Sequence, residues 1–153
     1  MPKKKETVTV QGTEIAILTH RLDDYISLTD MARHKDKTES RIVISNWMST
    51  YFTIEYLAIW EGFYNPDFNR MGYQSVRNAE GRLIMSPKKW IEATNAIGII
   101  SKSGRYGGGV FAHRDIAYEF ATWLSAELSL LCRIINLLPM GVNIKQVICK
   151  NIV

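Results

Sequence analysis

Apolar and polar positions alternate from Thr7 to Leu18, where Val8, Val10, Ile15 and Ile17 flank Gln11-Gly12-Thr13. That period of two, interrupted by glycine, predicts a β-hairpin with Gly12 in its turn. Tyr25-Ile26-Ser27-Leu28 predicts a further short strand, after which Ser27 or Thr29 caps a short helix through Asp30-Met31-Ala32-Arg33. Arg41 to Met48 fits a second short helix, although the β-branched run Ile42-Val43-Ile44 weakens its propensity. From Thr53 to about Tyr64 the spacing changes to that of a longer helix, with Ile54, Leu57, Ala58 and Glu61 on one side and Tyr56, Trp60 and Phe63 on another. An element apolar nearly all round is expected at the centre of a fold. Asn65-Pro66-Asp67 reads as a turn, and Phe68 to Arg82 as an irregular or short-element connection.

Ser86-Pro87 is the sharpest helix start, a serine N-cap followed by proline at the first helical position, where its missing N–H costs nothing. The helix is expected to end near Gly98, which suits the left-handed residue beyond a helix terminus. Trp90, Ala93 and Ile97 share one face of its wheel, and Lys88, Glu92 and Asn95 the opposite one. Ile99-Ile100 and Val110-Phe111 then supply the strands of a second hairpin. Asp115 to Leu124 is an amphipathic helix, with Ile116, Phe120, Trp123 and Leu124 inward and Asp115, Glu119 and Thr122 outward. Trp47, Trp60, Trp90 and Trp123 all fall in predicted helices and are assigned to the core. From Leu128 the chain turns to Leu, Ile and Val, with Arg133, Lys145 and Lys150 as its charges and Pro139 and Gly141 breaking it. That stretch is too interrupted to span a bilayer and too apolar for an ordinary surface helix.

The 153 residues are enough for one domain with its own core. A net charge of +4 tilts the expectation toward a polyanionic partner. Cys132 and Cys149 have no Cys or His neighbour at metal-ligand spacing and read as free thiols of a reducing cytoplasm. Met1-Pro2-Lys3-Lys4-Lys5 runs into Glu6 and a polar strand, unlike a signal peptide, and no transmembrane segment is visible. His20, His34 and His113 are scattered, no Gly-x-Ser-x-Gly surrounds a serine, and no acidic pair completes a metal site with a histidine. Hydrolytic and redox chemistry, a cofactor and a small-molecule substrate are therefore not expected. His113, at a strand-to-helix junction, reads as a helix cap.

The second hairpin carries the chemistry. Its connection, Lys102-Ser103-Gly104-Arg105-Tyr106-Gly107-Gly108, places two cations where no acidic residue occurs between Glu92 and Asp115. Glycine there admits positive φ and lets backbone N–H groups approach a phosphate, so a phosphodiester backbone is the fitting partner. The segment lacks the Lys-Ser/Thr pair of a P-loop and the Gly-x-Gly-x-x-Gly spacing. Gly104-Arg105-Tyr106-Gly107 satisfies the Gly-x-x-Gly of a KH-type RNA-binding loop, but that loop joins helices and this one joins strands. On the residues alone, a plain surface hairpin and a nucleic-acid contact stand level. Tyr106 divides in the same way between stacking on the hairpin and touching sugar or base, and Lys88 and Lys89 by themselves describe a solvated helix face.

Four motifs in order extend this reading: Tyr25-Ile26-Ser27-Leu28-Thr29-Asp30-Met31; Asn46-Trp47-Met48 with Thr53-Ile54-Glu55-Tyr56-Leu57; Lys102 to Gly108; and His113 with Ala117 to Ser125. Together they resemble the KilA-N domain of bacteria, phages and large DNA viruses, a relative of the fungal APSES transcription-factor domain. The resemblance covers about Tyr25 to Glu127, leaving residues 1–24 as a basic tail and hairpin and 128–153 as an atypical apolar end. It implies a small α/β (α+β) domain of winged helix-turn-helix-like form that binds double-stranded DNA and is not an enzyme. The helix from Pro87 to Ile97 would be the recognition helix. Lys88, Lys89, Glu92 and Asn95 would then face a major groove, where Asn pairs with adenine, Lys with guanine or phosphate, and Glu92 with a cytosine amino group unless a neighbouring lysine holds it.

The same resemblance assigns Lys102 and Arg105 to phosphates or the minor groove, within a tip completed by Ser103, Gly104, Tyr106, Gly107 and Gly108, and adds Arg114 as a phosphate contact. Where such domains continue with a charged amphipathic helix, residues 128–153 read as a truncated or frame-changed end whose apolar surface predicts self-association. The expectation is a cytoplasmic, nucleoid-associated regulator of the phage or mobile-element type. An antirepressor-like protein-interaction module and an RNA-binding module are its rivals.

Overall fold

The alternating N-terminal segment forms strands β1 (Lys5–Val10) and β2 (Thr13–His20), antiparallel from Lys5 opposite Leu18 to Val10 opposite Thr13. The structure, a computed structural model, describes residues 5–10, 13–20, 23–104 and 108–125. The Gln11-Gly12 turn and the apolar end from Leu128 lie outside those residues. β3 (Asp23–Ser27) extends the sheet from β2, and the chain then leaves it for helices α1 (Leu28–Lys35), α2 (Ser40–Met48), α3 (Tyr51–Tyr64), α4 (Arg70–Asn78) and α5 (Pro87–Thr94). It returns as the hairpin β4 (Ile99–Lys102) and β5 (Gly109–His113) and closes with α6 (Arg114–Leu124).

The sheet order β1-β2-β3-β5-β4 makes β5 the partner of β3, with Tyr25 opposite His113, so two strands remote in sequence frame the helical excursion. Strand alternation divides the core. Ile15, Ile17, Ile26 and Ala112 join the helices' Leu28, Met31, Trp47, Ile54, Leu57, Trp90, Ile116 and Phe120 in one large cluster. Ala16, Leu18, Tyr25 and Phe111 form a smaller cluster on the other face of the sheet.

Of the two candidate caps for α1, Ser27 is the one used, its hydroxyl accepting from the Asp30 N–H at 3.1 Å. Ile42, Val43 and Ile44 do lie in a helix, α2, whose buried Ile44, Trp47 and Met48 outweigh propensity. α3 begins at Tyr51, capped by Thr50, and is not central all round. It buries Ile54, Leu57, Ala58, Trp60 and Glu61 but leaves Phe52, Ile59 and Phe63 exposed, because it is an outer helix packed on one side.

Three further expectations change. Arg70–Asn78, within the stretch read as an irregular or short-element connection, is a short helix whose N-cap Asn69 accepts from the Gly72 N–H. None of its residues is fully buried; Tyr73 and Val76 pack on the core from one side, and most of the remaining positions are polar. α5 stops at Thr94, short of Ile97, because Asn95 takes the left-handed conformation (φ 56°, ψ 38°) assigned to Gly98. Trp123 lies at the margin of the α6 stripe Ile116, Ala117, Phe120, Ala121, Leu124; it is 45% exposed and stacks on Phe120.

Gly72 and Gly98 are needed for close approach. A methyl group on Gly72 would overlap the backbone carbonyl of Ala93 where α4 meets α5, and one on Gly98 would stand 2.5 Å from Ile116 Cδ1 and 2.8 Å from the Trp60 ring. Gly62 meets only the flexible end of Arg70. Gly72→Ala and Gly98→Ala are expected to destabilise the fold by about 1–3 kcal/mol in urea unfolding, despite alanine's better helix propensity at the first site. Gly62→Ala, inside α3, is expected to hold or raise the midpoint.

Candidate nucleic-acid interface

α5 starts as its sequence requires: the Ser86 hydroxyl accepts from the Lys89 N–H at 3.3 Å, and Pro87 occupies the first turn. Trp90 and Thr94 face the core, which turns the side chains of Lys88, Lys89 and Glu92 outward. None of the three forms an ion pair among the described residues. The start of the helix therefore offers two ammonium groups beside the positive end of the helix dipole. Asn95 lies past the helix end, and its side chain is engaged: Nδ2 donates to the Asp67 carbonyl at 3.2 Å. It ties α5 to the turn before α4 and is not a member of the outer helical face.

Between α5 and β4 the chain is fastened by a buried carboxylate. Glu61 of α3 is 1% exposed; its oxygens accept from the Ile97 N–H at 3.0 and 3.1 Å, from the Gly98 N–H at 2.7 Å and from Asn65 Nδ2 at 2.9 Å. The carbonyls of the same two residues are also paired, Ile97 with the Tyr25 hydroxyl at 3.0 Å and Gly98 with the His113 N–H at 2.8 Å. A junction with its donors and acceptors so satisfied has little freedom to reorient helix against hairpin.

The hairpin β4–β5 pairs Ile99 with Ala112 through Lys102 with Gly109. Thr29 Oγ1 accepts from the Val110 N–H at 2.9 Å, which fixes the hairpin to α1. Gly109 (φ 146°) and Gly104 (φ 138°) adopt backbone angles that side chains disfavour, and a methyl group on Gly108 would overlap the Gly104 backbone. The Lys102 ammonium sits 5.8 Å from the centre of the Phe111 ring, and Ser103 and Gly104 are exposed. Arg105, Tyr106 and Gly107 lie outside the described residues. Arg114, partly exposed, opens α6 directly after the hairpin. His113 caps that helix, its Nδ1 accepting from the Asp115 N–H at 3.2 Å while Nε2 faces Asp23 Oδ2 at 3.5 Å.

The profile of the KilA-N domain family matches residues 8–139. The chain belongs to the KilA-N domain family. No curated protein and no solved structure matches it. KilA-N is a DNA-binding domain family. The match begins within β1, so the N-terminal hairpin falls inside the KilA-N span, beyond the stretch from Tyr25 that the motifs marked. Among the described residues no helix is long and apolar enough to cross a membrane.

Two parts of this KilA-N site are not apparent from the motifs. One is α4, held to the end of α5 by the Asn69 N–H on the Thr94 carbonyl at 2.8 Å; its sequence signal is the Asn-x-x-Gly spacing of a capped first turn. The other is Glu61, visible only as an acidic residue on the apolar side of a helix. Glu61→Gln, which sets an amide NH2 against N–H donors, is expected to cost about 2–3 kcal/mol and to speed amide hydrogen exchange at Ile97 and Gly98. Unchanged stability and exchange would refute the clamp.

Proposed function

We propose that the chain binds double-stranded DNA by placing the N-terminal half of α5 in the major groove and the β4–β5 wing along the neighbouring backbone, as a regulator of the phage or mobile-element type acting on the nucleoid in the cytoplasm. Lys88 and Lys89 take guanine edges or phosphates, and Glu92 accepts from a cytosine amino group. Asn95 serves as the cap that holds the helix at its angle. Lys102 and Arg105 neutralise phosphates at the wing, Ser103, Gly104, Tyr106, Gly107 and Gly108 bring its backbone close, and Arg114 adds a further phosphate contact.

The observation that carries this reading is the pairing of an exposed Lys88-Lys89-Glu92 surface with a hairpin to which Glu61 rigidly joins it. Reading base edges needs donors and acceptors held in register, and the clamp provides that before DNA arrives. Membership of a DNA-binding family supports the ligand. The helix-turn-helix comparison is supported by α4, the connection after it and α5, packed through Gly72.

Binding to labelled duplex, followed by fluorescence anisotropy over a salt series, tests the assignment. Lys102→Ala with Arg105→Ala is expected to lower affinity and to reduce the slope of log K against log salt by about 2, close to one unit for each phosphate left without its cation. Glu92→Ala is expected to relax the motif recovered by selection from random duplex DNA and to leave the salt slope in place. Equal affinity for single-stranded RNA, or a double variant with unaltered affinity and slope, would overturn the reading.

A further inference from the structure

The outer side of α3 is apolar and uncovered. Phe52, Ile59 and Phe63, one stripe at helical spacing, are 68%, 56% and 79% exposed, and Met71 at the start of α4 is 79% exposed. Taken together these four side chains present about 500 Å² of apolar surface, more than isolated surface residues account for, and two copies would bury about 1,000 Å² through these residues alone, the threshold a specific interface must clear.

The charges on this face are arranged in opposition. A groove of about 460 Å³ runs between α3 and α4, with Glu55 and Arg77 on its walls and Ile59, Phe63 and Phe68 lining it. Arg77 reaches Glu55 at 3.6 Å, both about half exposed. Arg70 extends its guanidinium over Gly62, Nη2 lying 3.3 Å from where a Cβ would stand. Glu55 and Gly62 are two helical turns apart on α3, on either side of Ala58 and Ile59.

We propose that this face is a two-fold interface between two copies of the chain, with α3 of each antiparallel to α3 of the other and the axis beside Ile59. A two-fold contact must complement itself, and this surface does. The axis sets Ile59 against Ile59, brings the Phe52 end of each stripe to the Phe63 end of the other, and places Glu55 of each copy across from the Arg70 that overlies Gly62 in its mate. The apolar side chains of Phe52, Ile59, Phe63 and Met71 suit this face to another protein surface, and the self-complementary placement of Glu55 and Arg70 selects a second copy as its occupant. The inference stands independently of the DNA reading.

Sedimentation equilibrium on the full chain is expected to give twice the monomer mass of 17.5 kDa. Ile59→Asp is expected to halve that mass with an unchanged circular dichroism spectrum. Glu55→Arg and Arg70→Glu each oppose like charges in their own homodimer and are expected to be monomeric alone, whereas an equimolar mixture re-forms a dimer by pairing Arg with Glu across both contacts. A monomer mass at every concentration, a dimer that survives Ile59→Asp, or a mixture that stays monomeric would each overturn the proposal. So would a loss of DNA affinity in Ile59→Asp without a change in mass, which would put nucleic acid on this face.

Discussion

Donors from three residues converge on the buried carboxylate of Glu61: the backbone N–H groups of Ile97 and Gly98 and the side-chain amide of Asn65. A carboxylate taken out of water is costly unless hydrogen bonds replace its hydration, and a set of short, charge-assisted bonds does so. The gain is reciprocal, because the two N–H groups lie between a helix end and a strand start and have no ladder to join. One side chain of α3 thus fixes where α5 ends and where β4 begins. The Gly98 contact with Ile116 and Trp60 closes the same joint from the other side, where no Cβ can be fitted.

From that joint the arrangement of the domain follows. The sheet is continuous from β1 to β4, yet β3 and β5 come together only after the whole helical excursion, so the excursion must end with its last helix and first returning strand correctly aimed. Asn95 and Asn65 tie the end of α5 to the turn before α4, and Thr29 ties the hairpin to α1. Helix α5 and the β4–β5 hairpin are held as one piece by bonds that do not involve the outward Lys88, Lys89 and Glu92 side chains, which stay exposed. α3, having used its inner side for core and clamp, leaves Phe52, Ile59 and Phe63 exposed on its outer side.

Much of this was legible in the amino-acid order. Period-two alternation located β1 and β2, Ser86-Pro87 located the start of α5, and apolar strands flanking a glycine-rich connection located the β4–β5 hairpin, since each is a local rule that holds wherever the segment is placed. Glu61 was visible only as a member of one side of a helix. α4 was not singled out because its nine residues are mostly polar, with Tyr73 and Val76 alone packed on the core, and because its Asn69 cap and its contact with α5 show only in the folded chain. The misplaced end of α5 has the same origin: Gly98 was free to cap a helix on its own conformational merits, but Asn95 took that role and the space at Gly98 was filled by Trp60 and Ile116.

The sequence by itself determined most of the elements, the helix start that presents two lysines and a glutamate, the basic glycine-rich hairpin and, through the order of its motifs, the family, because capping, alternation and turn chemistry act over a few residues. Only the tertiary structure decided that Asn95 is a cap, that Trp123 and the outer side of α3 are left uncovered, and that a buried glutamate joins α5 to the β4–β5 hairpin. Those outcomes depend on which surfaces meet, and contacts such as Glu61 with Gly98, thirty-seven residues away, are set by packing that no local pattern encodes.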